Sequence, residues 1–235
     1  MSDTPHQSTL EDLRVKLKRR AIVFDVDDSR PAADPLESRF GRVSVGLPGE
    51  IWPEWQGKQL QALCQINLRV LPFRPPRLGD VAFLAVFIDP NELPGETPNG
   101  EGWALRAYDD VDALVPLPQP TNTAIKPLPM RPRLVERDYP CWEDVPIELP
   151  ADIADRYHDR FKNTFGLKLG GWPSLIQSEL CWAPWHKHAA APEYVFQIDS
   201  IEECQWSWGD AGVGYFGRGT TPGKENEWTM TWQCC

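Results

Sequence analysis

Along much of this chain the apolar residues recur at every second position. From Leu60, residues Ala62, Cys64, Ile66, Leu68 and Val70 fall on one side, while Gln61, Gln65, Asn67 and Arg69 fall on the other with Leu63 among them. Tyr194, Phe196 and Ile198 alternate in the same way with Val195, Gln197 and Asp199. A period of two predicts half-buried strands. Further strands are expected at 22–26, 81–88, 103–108, 213–216 and 228–232, and 134–137 offers an edge strand. Helical spacing is rarer. Leu10, Leu13 and Leu17 share one helical face, with Ser8 as the cap and Glu11 in the capping-box position. A second helix is predicted from Pro150, its stripe being Ile153, Tyr157 and Phe161. Few helices and many strands punctuated by proline and glycine predict an α+β fold with mostly antiparallel sheet.

The strand pattern runs through the chain twice. Phe40-Gly41, Gly46-Leu47-Pro48 and Ile51 have the spacing of Phe165-Gly166, Gly171-Trp172-Pro173 and Ile176. Gln65-Ile66-Asn67 then matches Gln197-Ile198-Asp199, and Gly79-Asp80 matches Gly209-Asp210 before an apolar run. The sequence therefore predicts one domain over 1–235 made of two related halves from internal duplication. The first half is 1–89 and the second 150–235. A proline-rich, acidic connection over 90–149 joins them. Residues 90–150 hold 12 of the 24 prolines, so mostly loop is expected there.

Charge narrows the partners. The net charge is −10, and residues 89–112 carry seven acids against one arginine. Such a surface repels phosphate backbones and anionic lipid, so neither nucleic acid nor membrane is expected as a partner. A basic protein is favoured, and Glu92, Asp109, Asp110 and Asp112 are its expected contacts. The N-terminal residues lack an apolar signal core, no run is long enough to span a membrane, and the six cysteines are scattered. A cytoplasmic protein with reduced thiols is the expectation.

Chemistry-bearing motifs are sparse. There is no Gly-x-Ser-x-Gly elbow and no phosphate-binding loop. Cys181, His186 and His188 lie close together without a standard zinc spacing, and the acidic groups 25–28 and 109–112 do not fit a calcium loop. No catalytic residue, metal or cofactor is therefore assigned. The repeated polar positions can either hold backbone in the glycine turns or line related clefts. A cleft between the halves is expected to draw on Trp52, Gln65, Trp172, Gln197 and Asp210.

Several stretches together resemble the bacterial YwqG-like family: Ser38-Arg39-Phe40-Gly41, Trp52-Pro53, Gln65-Ile66-Asn67, Gly170-Gly171-Trp172-Pro173, Gln197-Ile198-Asp199, Trp208-Gly209-Asp210-Ala211-Gly212 and the closing Trp232-Gln233-Cys234-Cys235. The resemblance runs from about residue 34 to the C-terminus. It departs at residues 42–45, which separate Phe40-Gly41 from Gly46 where relatives show a tighter glycine pair. The resemblance implies an α+β fold of two related halves and no defined activity. Through relatives encoded beside polymorphic toxin genes, it also implies an immunity protein that neutralises a cognate toxin. Three functions follow as expectations: a non-enzymatic immunity protein with a basic toxin as partner, a small-ligand binding protein with a cleft between the halves, and an enzyme with a dispersed site.

Overall fold

Alternation and β-branched or aromatic content make the strands of this protein, and glycines and prolines end them. A computed structural model describes residues 9–27, 29, 32–89, 91–118, 124–180, 182 and 187–235. The strands are β1 (Arg19–Val26), β2 (Arg39–Phe40), β3 (Val45–Gly46), β4 (Glu54–Trp55), β5 (Lys58–Gln59), β6 (Gln61–Asn67) and β7 (Phe83–Ile88). They continue with β8 (Trp103–Tyr108), β9 (Val115–Pro116), β10 (Leu128–Asp138), β11 (Leu167–Gly170), β12 (Glu193–Asp199), β13 (Val213–Arg218) and β14 (Trp228–Gln233). The helices are short: α1 (Leu10–Leu17), α2 (Ala151–Ala154) and α3 (Tyr157–Arg160).

Ten strands form one antiparallel sheet in the order β14-β13-β12-β11-β1-β10-β2-β6-β7-β8. The order has a centre. β1 and β10 pair along almost their whole length, and a run of four sequential strands extends from each. The sheet curls into a nearly closed barrel. Trp103 of β8 meets Phe216 of β13 with ring centroids 6.0 Å apart, and the Trp232 indole donates to the Pro94 carbonyl at 2.9 Å. The enclosed face is one continuous core drawn from both runs, including Phe40, Ile66, Val86, Phe196 and Phe216. Phe196 and Phe216 stack at 4.4 Å, an arrangement that adds about 1 kcal/mol beyond the burial itself.

The outer face is covered as well. Loops and the small β3–β9 and β4–β5 sheets pack on β6–β8, the helices pack beside the centre, and Leu175, Ile176, Leu180 and Trp182 pack on β13. This cover explains why β7 and β13 are buried at every position, and why the polar side of β6 is internal rather than solvated.

Several expectations change. Thr9, not Ser8, caps α1, in a reciprocal capping box with Asp12; Ser8 lies outside the described residues. The helix expected from Pro150 is two single turns, because Asp155 and Arg156 interrupt it. β6 stops at Asn67, whose side chain caps a 3-10 turn at Leu68–Val70. The largest correction concerns the connection. Residues 134–137 belong to an eleven-residue central strand, β10, despite Pro129 and Pro132. β2 borders β10 only at Leu128 and Pro129, so Pro132 faces no second ladder to interrupt, and Pro129 stands in the first residues of the strand.

The registers of the two runs correspond. Arg39 lies opposite Gln65 in the first and Lys168 opposite Gln197 in the second. Phe40 thus corresponds to Leu169, and the left-handed Gly41 to the left-handed Gly170. The match of Phe40 with Phe165 read from spacing is displaced by four residues, and Phe165 is exposed.

Candidate functional site

The repeated glutamines hold turns. The Gln65 carbonyl oxygen accepts from Ser44 N at 2.6 Å, and its amide donates to the Pro35 and Glu37 carbonyls. The Gln197 oxygen accepts from Ser174 N at 2.8 Å, and its amide donates to Gly166 O and Asp199 Oδ1. Both glutamines are fully buried, so these bonds meet the requirement that internal polar groups be paired. Trp52 is also a core residue, its indole donating to Leu60 O and its ring edge-on to Phe87. Asp210 is exposed in the turn before β13. None of these four is among the described residues that line the cleft of this structure. Asp80 does not mirror Asp210 either. It clamps Arg218 of the other run in a bidentate pair at 2.6 and 2.7 Å, which holds its carboxyl below the ordinary carboxylate value.

Trp172 does reach a cavity. A cleft of about 740 Å³ opens between the start of β1, the loop ahead of β7, the segment after β10 and the turn after β11. That volume is typical of small-molecule sites. Its floor depends on two consecutive left-handed glycines, Gly170 (φ +69°) and Gly171 (φ +67°). A Cβ on Gly171 would collide with the Asp138 carboxylate, so that position demands glycine. The turn places Trp172 N on Asp138 Oδ2 at 2.8 Å and the Trp172 indole on Leu17 O at 2.7 Å.

Beneath this floor lies a fully buried ion pair. Lys168 Nζ bonds Asp138 Oδ2 (3.1 Å), Ser174 Oγ (3.1 Å) and Thr164 O. Burial lowers the ammonium's pKa and Asp138 opposes that. A lysine beside a serine hydroxyl is the grouping of a Ser–Lys nucleophile. Here all three ammonium donors are taken and Ser174 is inaccessible to solvent, so the group fixes the turn rather than attacking a substrate.

Three arginines face the cleft. The Arg19 guanidinium stacks on Trp172, 3.4 Å from the ring centroid, and Arg20 lies over Phe73 at 4.4 Å. Arg77 reaches across to the Arg218 and Gly219 carbonyls and sits 3.6 Å from Glu193; its buried Nε has no hydrogen-bond partner. Glu143, Asp144 and Glu193 balance these charges, with Tyr194, Leu180, Trp182 and several prolines as apolar wall. Burial lowers the Arg19 pKa against the attraction of Asp144, and burial raises the Asp144 carboxyl against the attraction of Arg19. Shifted groups converging in one cleft make it the candidate site. The lining contains no Ser, Cys or His nucleophile among the described residues.

The acidic residues do not form one patch. Asp109, Asp110 and Asp112 are exposed in the turn after β8, and Asp112 pairs with Arg69 at 3.2 Å. Glu92 follows the other end of the β7–β8 pair, where Ile88 meets Trp103, so the structure separates it from them. Asp25 and Asp27 pair with Arg133 and Arg131. Cys181 and His186 lie outside the described residues, and among the described residues no cluster able to hold a metal ion is found. Among them too, no helix is long and apolar enough to cross a membrane.

A model of a family described as a domain of unknown function (DUF1963) matches residues 38–218. The chain belongs to this family. No curated protein matches it. The family's span takes in the cleft's glycine turn, Trp172, Arg77 and Asp144, and leaves out Arg19 and Arg20 of β1. Arg19, Arg20, Phe73 and Arg77 were not singled out by sequence reasoning. The available signals were an arginine pair opening a strand and the aromatic, basic and proline run at 73–77.

Proposed function

We propose that this protein binds a small molecule in the cleft between its two halves without transforming it. The carrying observation is the arginine- and aromatic-lined cavity of about 740 Å³ above a rigid, fully hydrogen-bonded floor. The missing nucleophile in the described lining favours binding over catalysis. The corresponding registers and the paired glutamines support an origin by internal duplication, with the cleft as the product of joining the halves, and the shared sequence stretches support a YwqG-like relationship. A cytoplasmic location accords with the free thiols of the described cysteines.

Thermal unfolding with fractionated host metabolites tests the proposal. A ligand at a hundred times its Kd adds about 2.7 kcal/mol, or roughly 5–10 °C in Tm for a chain of this size. The active fraction should lose its effect on Arg19→Gln. If no fraction raises Tm, the cleft is not a ligand site.

A second reading, toxin neutralisation through an acidic face, is favoured by the exposed Asp109, Asp110 and Asp112. Reversing these three charges should weaken a complex with a basic toxin and flatten its salt dependence. Unchanged affinity would remove this reading.

A further inference from the structure

Within the cleft, Arg19 and Asp144 stand out by what they do not touch. Each is partly desolvated and each acts on the other's charge, yet no ion pair joins them. The Arg19 guanidinium makes one long hydrogen bond, 3.5 Å from Nη1 to Gly171 O, and is otherwise held by its stack on Trp172. No described donor satisfies the Asp144 carboxylate oxygens. The other arginines differ. Arg20 is engaged by Glu136 at 3.2 Å, and Arg77 by Glu193 and two carbonyls. A guanidinium with most of its donors unused and a carboxylate without a described donor thus share one cavity, beside Glu143 and the paired Glu193, whose apolar wall is Phe73, Val145, Tyr194, Leu180, Trp182 and proline. Arg19 is exposed at the cleft and Asp144 half-buried, so both keep some water, and a ligand that pairs both gains two charged hydrogen bonds in a partly desolvated site.

We infer that the cleft takes a zwitterion with an apolar body, an apolar α-amino acid or short peptide, whose carboxylate sits on Arg19 and whose ammonium sits on Asp144. The inference rests on the small-molecule reading above and names its ligand class. An anion alone would leave Asp144 unpaired, and a cation alone would leave Arg19 unpaired. The guanidinium fork matches a carboxylate in two-point contact, and the cavity has room for a large apolar side chain.

Calorimetric titration of the full chain with matched compounds tests this. Phenylalanine, leucine and the dipeptide phenylalanyl-leucine supply the zwitterions. For each body the same titration is run with the compound lacking the amine and with the compound lacking the carboxylate; for phenylalanine these are 3-phenylpropanoate and 2-phenylethylamine. The zwitterion should bind at least about tenfold more tightly than either, the size of one charged hydrogen bond. Asp144→Asn should abolish that advantage over 3-phenylpropanoate, whose own affinity should hold or rise because a neighbouring like charge is removed. Arg19→Gln should abolish the advantage over 2-phenylethylamine. Equal or tighter binding of the singly charged compounds overturns the zwitterion and leaves the small-molecule reading standing. If no compound of any charge binds, while metabolite fractions still raise Tm, the ligand class is wrong and the cleft is right. If neither occurs, both fall.

Discussion

Asp138→Asn perturbs the joint between fold and site. Asp138 and Lys168 are both fully buried, and the Asp138 carboxylate also accepts from Thr164 N at 2.7 Å and Trp172 N at 2.8 Å. Asparagine keeps the shape but replaces one oxygen with an NH2 group, which turns a donor toward a donor. The charge it removes leaves the Lys168 ammonium buried without a counterion. Breaking a buried pair from one side costs about 3–5 kcal/mol, a large share of the roughly 5–15 kcal/mol that holds a domain together. For a chain of this length that is a fall of about 6–20 °C in Tm. Lys168→Met should cost a similar amount, since it strands the carboxylate. The double variant removes both charges and should be clearly more stable than the sum of the singles, with a coupling of about 1–3 kcal/mol. Denaturant unfolding of the four proteins gives the cycle. A loss under about 1 kcal/mol for Asp138→Asn, or strictly additive singles, would refute the claim that this pair fixes the glycine turn.

Other outcomes follow from the same geometry. Gln65→Leu and Gln197→Leu, each close to volume-conserving, should each lower stability by about 1–3 kcal/mol in denaturant unfolding, the larger loss at Gln197, because each removes the partner of a serine N–H, buried at Ser174 and half-buried at Ser44, and of the turn carbonyls. Asp80 titrates below its ordinary 3.8 in the folded protein through its bonds to Arg218, so its contribution is complete above pH 3.8 and fades as pH falls through and below that value. Asp80→Asn should therefore lower stability near neutral pH by about 1 kcal/mol after solvent screening, and its unfolding curve should converge with wild type in acid. The Cys64 thiol is fully buried and its pKa is pushed well up by that burial, whereas Cys235 is exposed. A disulfide reagent followed by peptide mapping should label Cys235 in the native protein and Cys64 only after unfolding.

Strands were legible because alternation is local. The runs from Leu60 and Tyr194 and the apolar stretch before Asp89 all became strands. β10 was not legible, because its prolines read as loop and only the sheet order shows that its second side is mostly unpaired. Gln65 and Gln197 were visible as repeated polar positions. Their role depended on what covers the outer face, which periodicity does not encode. The cleft was the least legible feature. Its residues come from Arg19, Phe73 to Arg77, Glu143 to Pro146, Gly170 to Pro173 and Tyr194, and only the closing of the barrel brings them together. Of the residues expected to line a cleft, Trp172 borders this one, while Trp52, Gln65 and Gln197 are absorbed by packing and turn hydrogen bonds.

The most direct test is native mass spectrometry of the protein purified gently from its host, beside an Arg19→Gln/Asp144→Asn variant prepared in the same way. The account predicts a small molecule of amino-acid or short-peptide mass on the wild-type protein, released on denaturation and missing from the variant. A bare wild-type mass indistinguishable in behaviour from the variant, or a stoichiometric basic protein in place of a small molecule, would contradict it.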